Sequence, residues 1–361
     1  MKKFIFKVVL ITLITFTPIV ICNYFVDPAN IFHDDVVNKV AEYLNGGYIV
    51  EVPANMDEGL LQEKRISAMT HTPKTVVIGS SRVMYIPFDY EDTYNAGMSG
   101  AYLGDYYSIV GLLKYYDKMP ERIVIGVDPW AFLRDATDGR HIAIKKYAIK
   151  LKEDLQSRDS DDEKGHNILG DKLKELLSFA YFQSSVKDLR ANGVRDATGD
   201  VVRVEDSSIG DKQKILSDGR RVPAKQGFQT ANDIEKKATE YTQAGNIYQL
   251  GTGFTEIPVE RLNDFDTLLK YLVNNRIKVE LYLPSWHPKV YNYFITHKEF
   301  AGVKKVEDEV RKLGEKYNIT VHGGYNPLTN NFSSNDFMDW LHLQPNKMYE
   351  DYKYVNNDIV P

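Results

Sequence analysis

The sequence predicts an α/β protein: a parallel sheet with helices on both faces, preceded by a transmembrane helix and interrupted by an inserted cap region. Three observations support this fold class. Short β-branched segments alternate with amphipathic segments, as in a parallel sheet. A nearly uncharged apolar run follows three lysines at the N-terminus. The stretch from about 133 to 255 breaks the alternation and contains the charged run SRDSDDEKG at 157–165.

The composition is that of a globular protein, with 361 residues, 43% hydrophobic and 26% charged, and a net charge of −5. The slightly acidic balance offers no basic stripe to neutralise phosphates, which argues against nucleic-acid binding. The single cysteine, Cys22, excludes a disulfide framework and a cysteine-based zinc site. No His, Asp and Glu cluster has ligand spacing, so we expect no metal and no cofactor.

The first 26 residues predict a membrane anchor. An apolar run over 8–26 follows three lysines, and about 20 apolar residues are enough to cross a bilayer as a helix. A positive N-terminal flank keeps the N-terminus in the cytoplasm. We therefore expect a single-pass protein of the cell membrane, in contact with lipid over 4–26, whose main domain is extracytoplasmic. A cleaved signal peptide is the competing interpretation, but no small-x-small site follows the run.

The remaining elements alternate along the chain after an expected stalk and leading helix over 27–74. Each predicted strand is a β-branched run that ends at a turn, and each predicted helix has apolar residues three or four apart. The expected strands are Thr75–Ile78, Arg122–Val127, Lys278–Leu283 and Ile319–His322, and the expected helices are Asp57–Ala68, Tyr102–Tyr116, Val259–Asn275 and Val303–Tyr317. We interpret 133–255 as an insertion that forms a cap or lid, the alternative being a surface excursion.

Polar loops follow the predicted strands at the edge where parallel sheets bind ligands. Ser81 lies in the turn Gly-Ser-Ser-Arg directly after the first strand. His342 can take the proton of its hydroxyl, and Asp339, three residues earlier, can hold the other ring nitrogen. The backbone N–H groups of Ser81 and of Gly100, in YNAGMSG, can face a developing oxyanion. The pattern predicts serine-based acyl transfer.

The order of these motifs resembles the SGNH/GDSL hydrolase superfamily over residues 75–132 and 278–349. The N-terminal segment and the GSSR and DWLH forms are similar to its membrane-anchored DltD and AlgJ/AlgX-like branch. The resemblance implies a flavodoxin-like three-layer sheet over 75–361, with Ser81, Asp339 and His342 as the triad and Gly100 as an oxyanion donor. It also implies an acyltransferase or esterase acting on O-acyl groups of a cell-envelope polysaccharide or teichoic-acid-like polymer, beside a membrane-bound O-acyltransferase.

One position departs from the superfamily pattern. Asp128 stands where the superfamily usually has an asparagine that donates to the oxyanion, and an ionised carboxylate there would repel it. Losing one such donor costs on the order of 3 kcal/mol. Three outcomes are open: a protonated Asp128 that donates, an Asp128 that binds Arg82 or a substrate hydroxyl, or a weak or inactive domain that binds an envelope glycan or an acyltransferase partner. We favour the second.

Further substrate contacts are expected from side chains in the same loops. They are Arg82, Asp128, Trp130, Trp286, His287 and Trp340. Tryptophan faces suit sugar rings, while the structural alternatives are core packing for the tryptophans, a salt bridge for Arg82 and a shielded imidazole for His287. A lipase or thioesterase acting on membrane lipid is a further hypothesis, for which no apolar acyl groove is evident.

Overall fold

A computed structural model describes residues 2–26, 35–53, 56–156, 176–192 and 201–355. The strands are β1 Ile49–Glu51, β2 Thr75–Ile78, β3 Thr93–Asn95, β4 Arg122–Gly126, β5 Arg203–Val204, β6 Lys214–Ile215, β7 Arg221–Val222, β8 Lys278–Leu283 and β9 Thr320–Gly323. The helices, numbered in chain order, are α1 Lys2–Val26, α2 Asp35–Asn45, α3 Glu58–Ser67, α4 Leu103–Tyr115, α5 Lys145–Gln156, α6 Phe179–Asn192, α7 Ala231–Ala244, α8 Val259–Asn274, α9 Pro288–Thr296, α10 Ala301–Tyr317 and α11 Pro345–Lys353.

The main sheet has five parallel strands in the order β3, β2, β4, β8, β9. The first strand in the chain, β2, occupies the second position of the sheet, and β3 forms the edge beside it. Strands β4, β8 and β9 then follow in succession on the other side of β2. This order is compatible with a flavodoxin-like fold. The carboxyl ends of β2 and β4 are adjacent near its centre, so the loops after them meet at one edge.

Both faces of the main sheet are covered, because its strands alternate apolar side chains between two cores. On one face, Val76, Ile125 and Leu281 pack in a core that includes α4, α8 and α10. On the other face, Val77 and Val124 pack in a core that includes residues of α11. The three-layer arrangement follows from this alternation and gives the sheet edge a rigid support.

A second, smaller sheet joins two parts of the chain that the sequence analysis separated. It is antiparallel, in the order β5, β1, β6, β7. Strand β1 belongs to the predicted stalk, and the other three strands belong to the predicted insertion. Val37 and Val40 of helix α2 share a hydrophobic core with Ile215 of strand β6. In its described part the segment 27–74 is therefore folded against the insertion, and no extended stalk is seen there.

The expected membrane anchor is not supported. Helix α1 is present, but across the described ranges no helix has both the length and the hydropathy that a membrane span requires. The prediction of a transmembrane helix over 1–26 is wrong, and so is the single-pass localisation built on it. Polar contacts mark the end of the helix: Asn23 is buried and donates hydrogen bonds to the carbonyl oxygens of Leu176 and Ser178, 3.0 and 3.1 Å away. Helix α1 packs there against α6.

The predicted insertion at 133–255 is not one separate lid in its described part. Helix α5 packs against α4 beside the main sheet, α7 packs against α9, and 201–222 builds the small sheet. The charged run at 157–165 lies outside the described residues. The insertion nevertheless contributes side chains to the edge where the polar loops meet, among them Arg221 and Gln249.

Candidate active site

The turn after β2 presents Ser81 at the carboxyl edge of the sheet. The Val83 N–H donates to the Ser80 carbonyl oxygen at 3.1 Å, and the Met84 N–H donates to the Ser81 carbonyl oxygen at 3.4 Å. The buried Asn95 amide donates to the Val83 carbonyl oxygen at 2.9 Å. These bonds close the turn against the end of β3. Ser80 is buried, whereas Ser81 is partly exposed.

The loop before α11 brings His342 to Ser81. The Ser81 Oγ lies 2.8 Å from His342 Nε2, although 261 positions separate the residues. On the other side of the ring, Asp339 Oδ2 lies 2.8 Å from His342 Nδ1. The N–H groups of Leu341 and His342 donate to Asp339 Oδ1 at 2.7 and 2.8 Å, which orients the carboxylate. The three side chains predicted for the triad therefore form one hydrogen-bonded chain.

Electrostatics favour an ionised Asp339 beside the imidazole. Burial works to raise the pKa of the Asp339 carboxyl, but His342 and the two backbone N–H donors outweigh it and hold the pKa below its usual value. An ionised Asp339 accepts from Nδ1–H, which leaves Nε2 free to accept the Ser81 proton. The Tyr85 ring meets the His342 ring edge-on, with 6.3 Å between ring centroids.

Two backbone N–H groups in the loops at this edge, those of Ser81 and Gly100, have no acceptor in the described protein. Gly100 has a φ of +60°, a conformation that favours glycine. A free N–H beside a nucleophile is what an oxyanion hole requires. The roles of Ser81 and Gly100 as oxyanion donors stay predictions, with which the unpaired N–H groups are compatible.

Three side chains that the sequence analysis did not single out hold the loop around Gly100. The Ser99 N–H donates to Glu58 Oε2 at 2.6 Å, and His141 Nε2 donates to the Ser99 carbonyl oxygen at 3.2 Å. Gln249 Nε2 donates to the Gly100 carbonyl oxygen at 3.0 Å. In a planar trans peptide the C=O and N–H point in opposite directions, so the His141 bond also fixes where the Gly100 N–H points.

Only one of these positioning residues had a recognisable sequence signal. Glu58 opens a helix after the N-cap Asp57, a pattern that marks a helix start but not a link to a distant loop. Arg221, from the insertion, pairs with Glu58 at 2.8 Å. Burial works to raise the pKa of the Glu58 carboxyl, yet Arg221 and Ser99 hold it below the usual value. His141 and Gln249 reach the site through tertiary contacts alone.

Asp128 does not take the place of the missing asparagine donor. Its Oδ1 lies 2.8 Å from Arg82 Nη1, and its Oδ2 accepts from the Ser80 hydroxyl at 2.6 Å. Both residues of the ion pair are almost fully buried. Burial raises the pKa of the Asp128 carboxyl, with Arg82 and Ser80 opposing that shift. Arg82 Nη2 also donates to the carbonyl oxygens of Pro284 and Ser285.

The other expected substrate contacts are largely buried. Trp130, Trp286 and His287 have no exposed surface, and the Trp286 ring lies 4.4 Å from the Arg82 guanidinium carbon. Trp340 is 8% exposed and stacks on Tyr241. His287 Nε2 lies 2.9 Å from the Ser334 hydroxyl. With Arg82 and Asp128, these side chains support the floor of the site and give a sugar ring almost no surface, so we correct their expected role to a structural one.

Across the described residues, no three His, Cys, Asp or Glu side chains lie close enough together to hold a metal ion. The polar groups that converge at the sheet edge are the Ser81, His342 and Asp339 chain, the two free N–H donors and the side chains around Gly100. Such a set can perform nucleophilic attack on a carbonyl carbon and stabilise the resulting oxyanion.

No protein-family model matches the chain, and no curated protein matches it. The comparisons therefore assign no family.

Proposed function

We propose that the protein is a serine-dependent esterase or O-acyltransferase of the SGNH/GDSL type. The observation that carries the proposal is the continuous chain from Ser81 Oγ through the His342 ring to the Asp339 carboxylate, with 2.8 Å at each link. A serine hydroxyl is a weak nucleophile until a base accepts its proton. A histidine oriented by a carboxylate supplies that base.

In the proposed reaction, Ser81 Oγ attacks the carbonyl carbon of an ester, and its proton passes to His342 Nε2. The carbonyl oxygen becomes an oxyanion that accepts hydrogen bonds from the Ser81 and Gly100 N–H groups. The bond to the alcohol oxygen breaks, and His342 returns the proton to that oxygen. Water or an acceptor hydroxyl then gives its proton to His342 and attacks the carbonyl carbon of acyl-Ser81. The bond between that carbon and Ser81 Oγ breaks, and His342 returns the proton to Oγ, which regenerates the free serine.

The oxyanion site has two backbone donors and no asparagine side chain. The Asp128 carboxylate is occupied by Arg82 and Ser80, so it neither donates nor points a free charge into the site. Since one donor is worth on the order of 3 kcal/mol in other enzymes, we expect a slower catalyst than one with three donors. The second candidate function is a module that binds a glycan or an acyltransferase partner without turnover, and the missing third donor is the observation that favours it.

The substrate class we propose is an O-acyl ester on a polysaccharide or on a teichoic-acid-like polymer. The support for this substrate class is the resemblance of the GSSR, YNAGMSG and DWLH motifs. The tryptophans add no support, because they are buried and offer little surface for stacking on a sugar ring. The partly exposed Ser81 is accessible to an ester on a large molecule. A lipid-directed lipase has no specific observation in its favour.

A fluorophosphonate probe on the full chain tests the proposal. We expect covalent labelling of Ser81, because the activated hydroxyl attacks phosphorus and displaces fluoride. Ser81→Ala should abolish labelling and lower p-nitrophenyl acetate turnover at least 10³-fold. Ser67→Ala, which removes an exposed serine hydroxyl at the end of α3, is the matched control. Undiminished turnover in Ser81→Ala would contradict the proposal, and absence of labelling in the wild-type protein would favour the non-catalytic alternative.

A further inference from the structure

Asp351 is a fully buried acid on α11, the helix that follows the His342 loop. Its Oδ2 accepts hydrogen bonds from the Tyr282 hydroxyl at 2.8 Å and from the Ser285 N–H at 2.9 Å. Its Oδ1 accepts from the Asn330 side-chain amide at 2.8 Å and lies 2.8 Å from the Ser285 hydroxyl oxygen. The carboxyl group takes no part in the proposed acyl transfer, yet it joins α11 to the loop after β8.

The hydrogen bonds of Ser285 call for a proton on Asp351. The Ser285 Oγ lies 2.8 Å from Asp351 Oδ1 and 2.9 Å from the Gly324 carbonyl oxygen. A serine hydroxyl has one proton, and neither a carboxylate nor a carbonyl oxygen can donate, so an ionised Asp351 would leave one of these contacts without a hydrogen. A neutral Asp351 satisfies both, because its Oδ1–H donates to Oγ and the Ser285 hydroxyl donates to Gly324. The geometry therefore favours the neutral acid.

The surroundings of Asp351 add to this preference. In the ranges that the structure describes, no lysine, arginine or histidine nitrogen lies within salt-bridge distance of its oxygens. Burial raises the pKa of the Asp351 carboxyl to about 6, against the opposing hydrogen bonds of Ser285, Tyr282 and Asn330. An aspartate in an unfolded chain has a pKa of about 3.9. The folded protein therefore holds this proton more tightly than the unfolded chain does.

The other charged groups around α11 have partners of their own. Helix α11 packs against β9, where the Tyr352 ring stacks on His322. The Tyr352 hydroxyl donates to the buried Glu280 of β8. The close pairs of basic and acidic groups in these elements and in the turn after β2 are Arg82 with Asp128, Arg122, Lys278 and His322 with Glu280, Lys347 with Glu350, and Lys353 with Asp89. None of these groups supplies a counter-charge to Asp351.

Ser285 connects Asp351 to the turn that presents Ser81. The Ser285 carbonyl oxygen accepts from Arg82 Nη2 at 2.6 Å, and Arg82 directly follows Ser81 in the chain. The Ser285 hydroxyl reaches the carbonyl oxygen of Gly324, directly after β9. One residue thus links α11, the end of β9 and the support of the Ser81 turn, and its hydrogen bonds depend on the proton of Asp351.

We propose that Asp351 is a positioning residue for Ser81: as a neutral acid it holds the loops after β8 and β9 together through Ser285, and its deprotonation loosens them. When the proton leaves to solvent, the Ser285 hydroxyl turns to Asp351 Oδ1, and the buried Gly324 carbonyl oxygen loses its donor. A buried polar group without a partner is costly, so the loops shift and the support of Arg82 weakens. The effect on turnover rests on the proposed function, whereas the proton-linked contact does not.

Urea unfolding of Asp351→Asn tests the protonation state without turnover. The asparagine replaces the neutral acid, since its NH2 group donates to the Ser285 hydroxyl oxygen as Oδ1–H does. Because the folded wild type keeps its proton to a higher pH than the unfolded chain, its stability falls as the pH rises. The urea midpoint of the variant relative to the wild type should therefore rise by at least about 0.5 M from pH 4 to pH 7.

Asp89→Asn, at an exposed carboxylate, is the control for this measurement and should show no such rise. A relative midpoint of Asp351→Asn that stays constant or falls from pH 4 to pH 7 would overturn the inference. An Asp351→Asn protein that does not fold at pH 7 would also overturn it, because the ionised carboxylate would then be the form that the fold requires.

Turnover of p-nitrophenyl acetate tests the positioning role. We expect the ratio of kcat in Asp351→Asn to kcat in the wild type to rise at least about threefold from pH 5.5 to pH 8, with little change in the KM ratio. In a Ser285→Ala background, which removes the hydroxyl between Asp351 and Gly324, the kcat ratio should stay constant. A rising midpoint with a constant kcat ratio while Ser285 is present would overturn the positioning role. A rising midpoint without fluorophosphonate labelling of Ser81 would instead overturn the proposed catalysis and leave the proton-linked contact standing.

Discussion

The residue that follows the candidate nucleophile is a buried arginine. Arg82 is only 2% exposed, pairs with Asp128, donates to two carbonyl oxygens and lies against the Trp286 ring. A buried cation without its carboxylate would be costly, since removing one partner of a buried ion pair destabilises a protein by about 3–5 kcal/mol. The pair thus stabilises the turn that presents Ser81.

A single substitution tests that role. We expect Asp128→Asn to lower the free energy of unfolding by about 3 kcal/mol and not to increase kcat, because Arg82 loses its counter-charge. Urea unfolding and p-nitrophenyl acetate turnover measure the two effects. Asp89→Asn, at an exposed pair with Lys353, is the control and should change stability by less than about 0.5 kcal/mol. A faster and equally stable Asp128→Asn protein would contradict the structural role.

His287 should make stability depend on pH. Burial lowers its pKa to about 4, with the Glu235 carboxylate opposing that shift. An unfolded histidine titrates near 6.5, so the unfolded chain binds more protons between these values, and stability falls as the pH falls. The contribution of His287 to the unfolding free energy should decrease by about 2 kcal/mol from pH 7 to pH 5. Urea unfolding at both pH values should show a loss smaller by that amount in His287→Gln. An equal loss in both proteins would disprove this account.

At the scale of elements, the contact of α4 with α5 depends on a glycine. A Cβ on Gly111 in α4 would overlap the backbone carbonyl oxygen of Tyr147 in α5. Helix α4 packs directly on the main sheet and begins just after the Gly100 loop, so its position affects the oxyanion donors. Intrinsic helix propensity favours alanine over glycine by about 1 kcal/mol, but close packing opposes it here.

Gly111→Ala should therefore destabilise the protein. Overpacking costs about 1–3 kcal/mol, enough to exceed the gain in helix propensity, and urea unfolding should show a net loss. Gly227→Ala is a suitable control, because the atom nearest to its Cβ would be 4.0 Å away. A more stable Gly111→Ala protein would mean that α5 can move away from α4 without cost.

For the molecule as a whole, the candidate site exists only in the folded chain. Ser81 and His342 are 261 positions apart, and one follows the first strand of the main sheet while the other precedes its last helix. The three tryptophans are buried behind or beside this edge. Tryptophan fluorescence and serine reactivity therefore report on the same tertiary structure.

Loss of reactivity should coincide with loss of structure in urea. We expect the rate of fluorophosphonate labelling at Ser81 and the tryptophan fluorescence to have the same midpoint, within about 0.3 M urea for a cooperative transition. Labelling that persists well beyond the fluorescence midpoint would mean that Ser81 is reactive without His342. That result would contradict the role given to the imidazole.

Local pattern was sufficient for the regular elements of the main sheet. Thr75–Ile78 and Lys278–Leu283 have the predicted bounds, and the predicted helix Val259–Asn275 is one residue longer than α8. The three-residue strand β3 and the helices α5, α7 and α9 were not identified. Short or irregularly patterned elements gain most of their stability from packing on distant residues, which periodicity does not report. The N-terminal apolar run was misinterpreted for a similar reason, since the pattern showed a helix but not its contacts with α6.

The sequence by itself determined which residue types follow each strand, and therefore that a serine, a glycine and an Asp-x-x-His segment meet at one edge of a parallel sheet. The strands and their buried character follow from local patterns, whereas the order β3, β2, β4, β8, β9 was decided by the tertiary structure. Only the tertiary structure decided that Arg82, Asp128, Trp130 and Trp286 are buried, and that Arg140 and Tyr248 from the insertion reach the Gly100 loop. Burial and charge pairing depend on residues far apart in the chain, so no local pattern contains them.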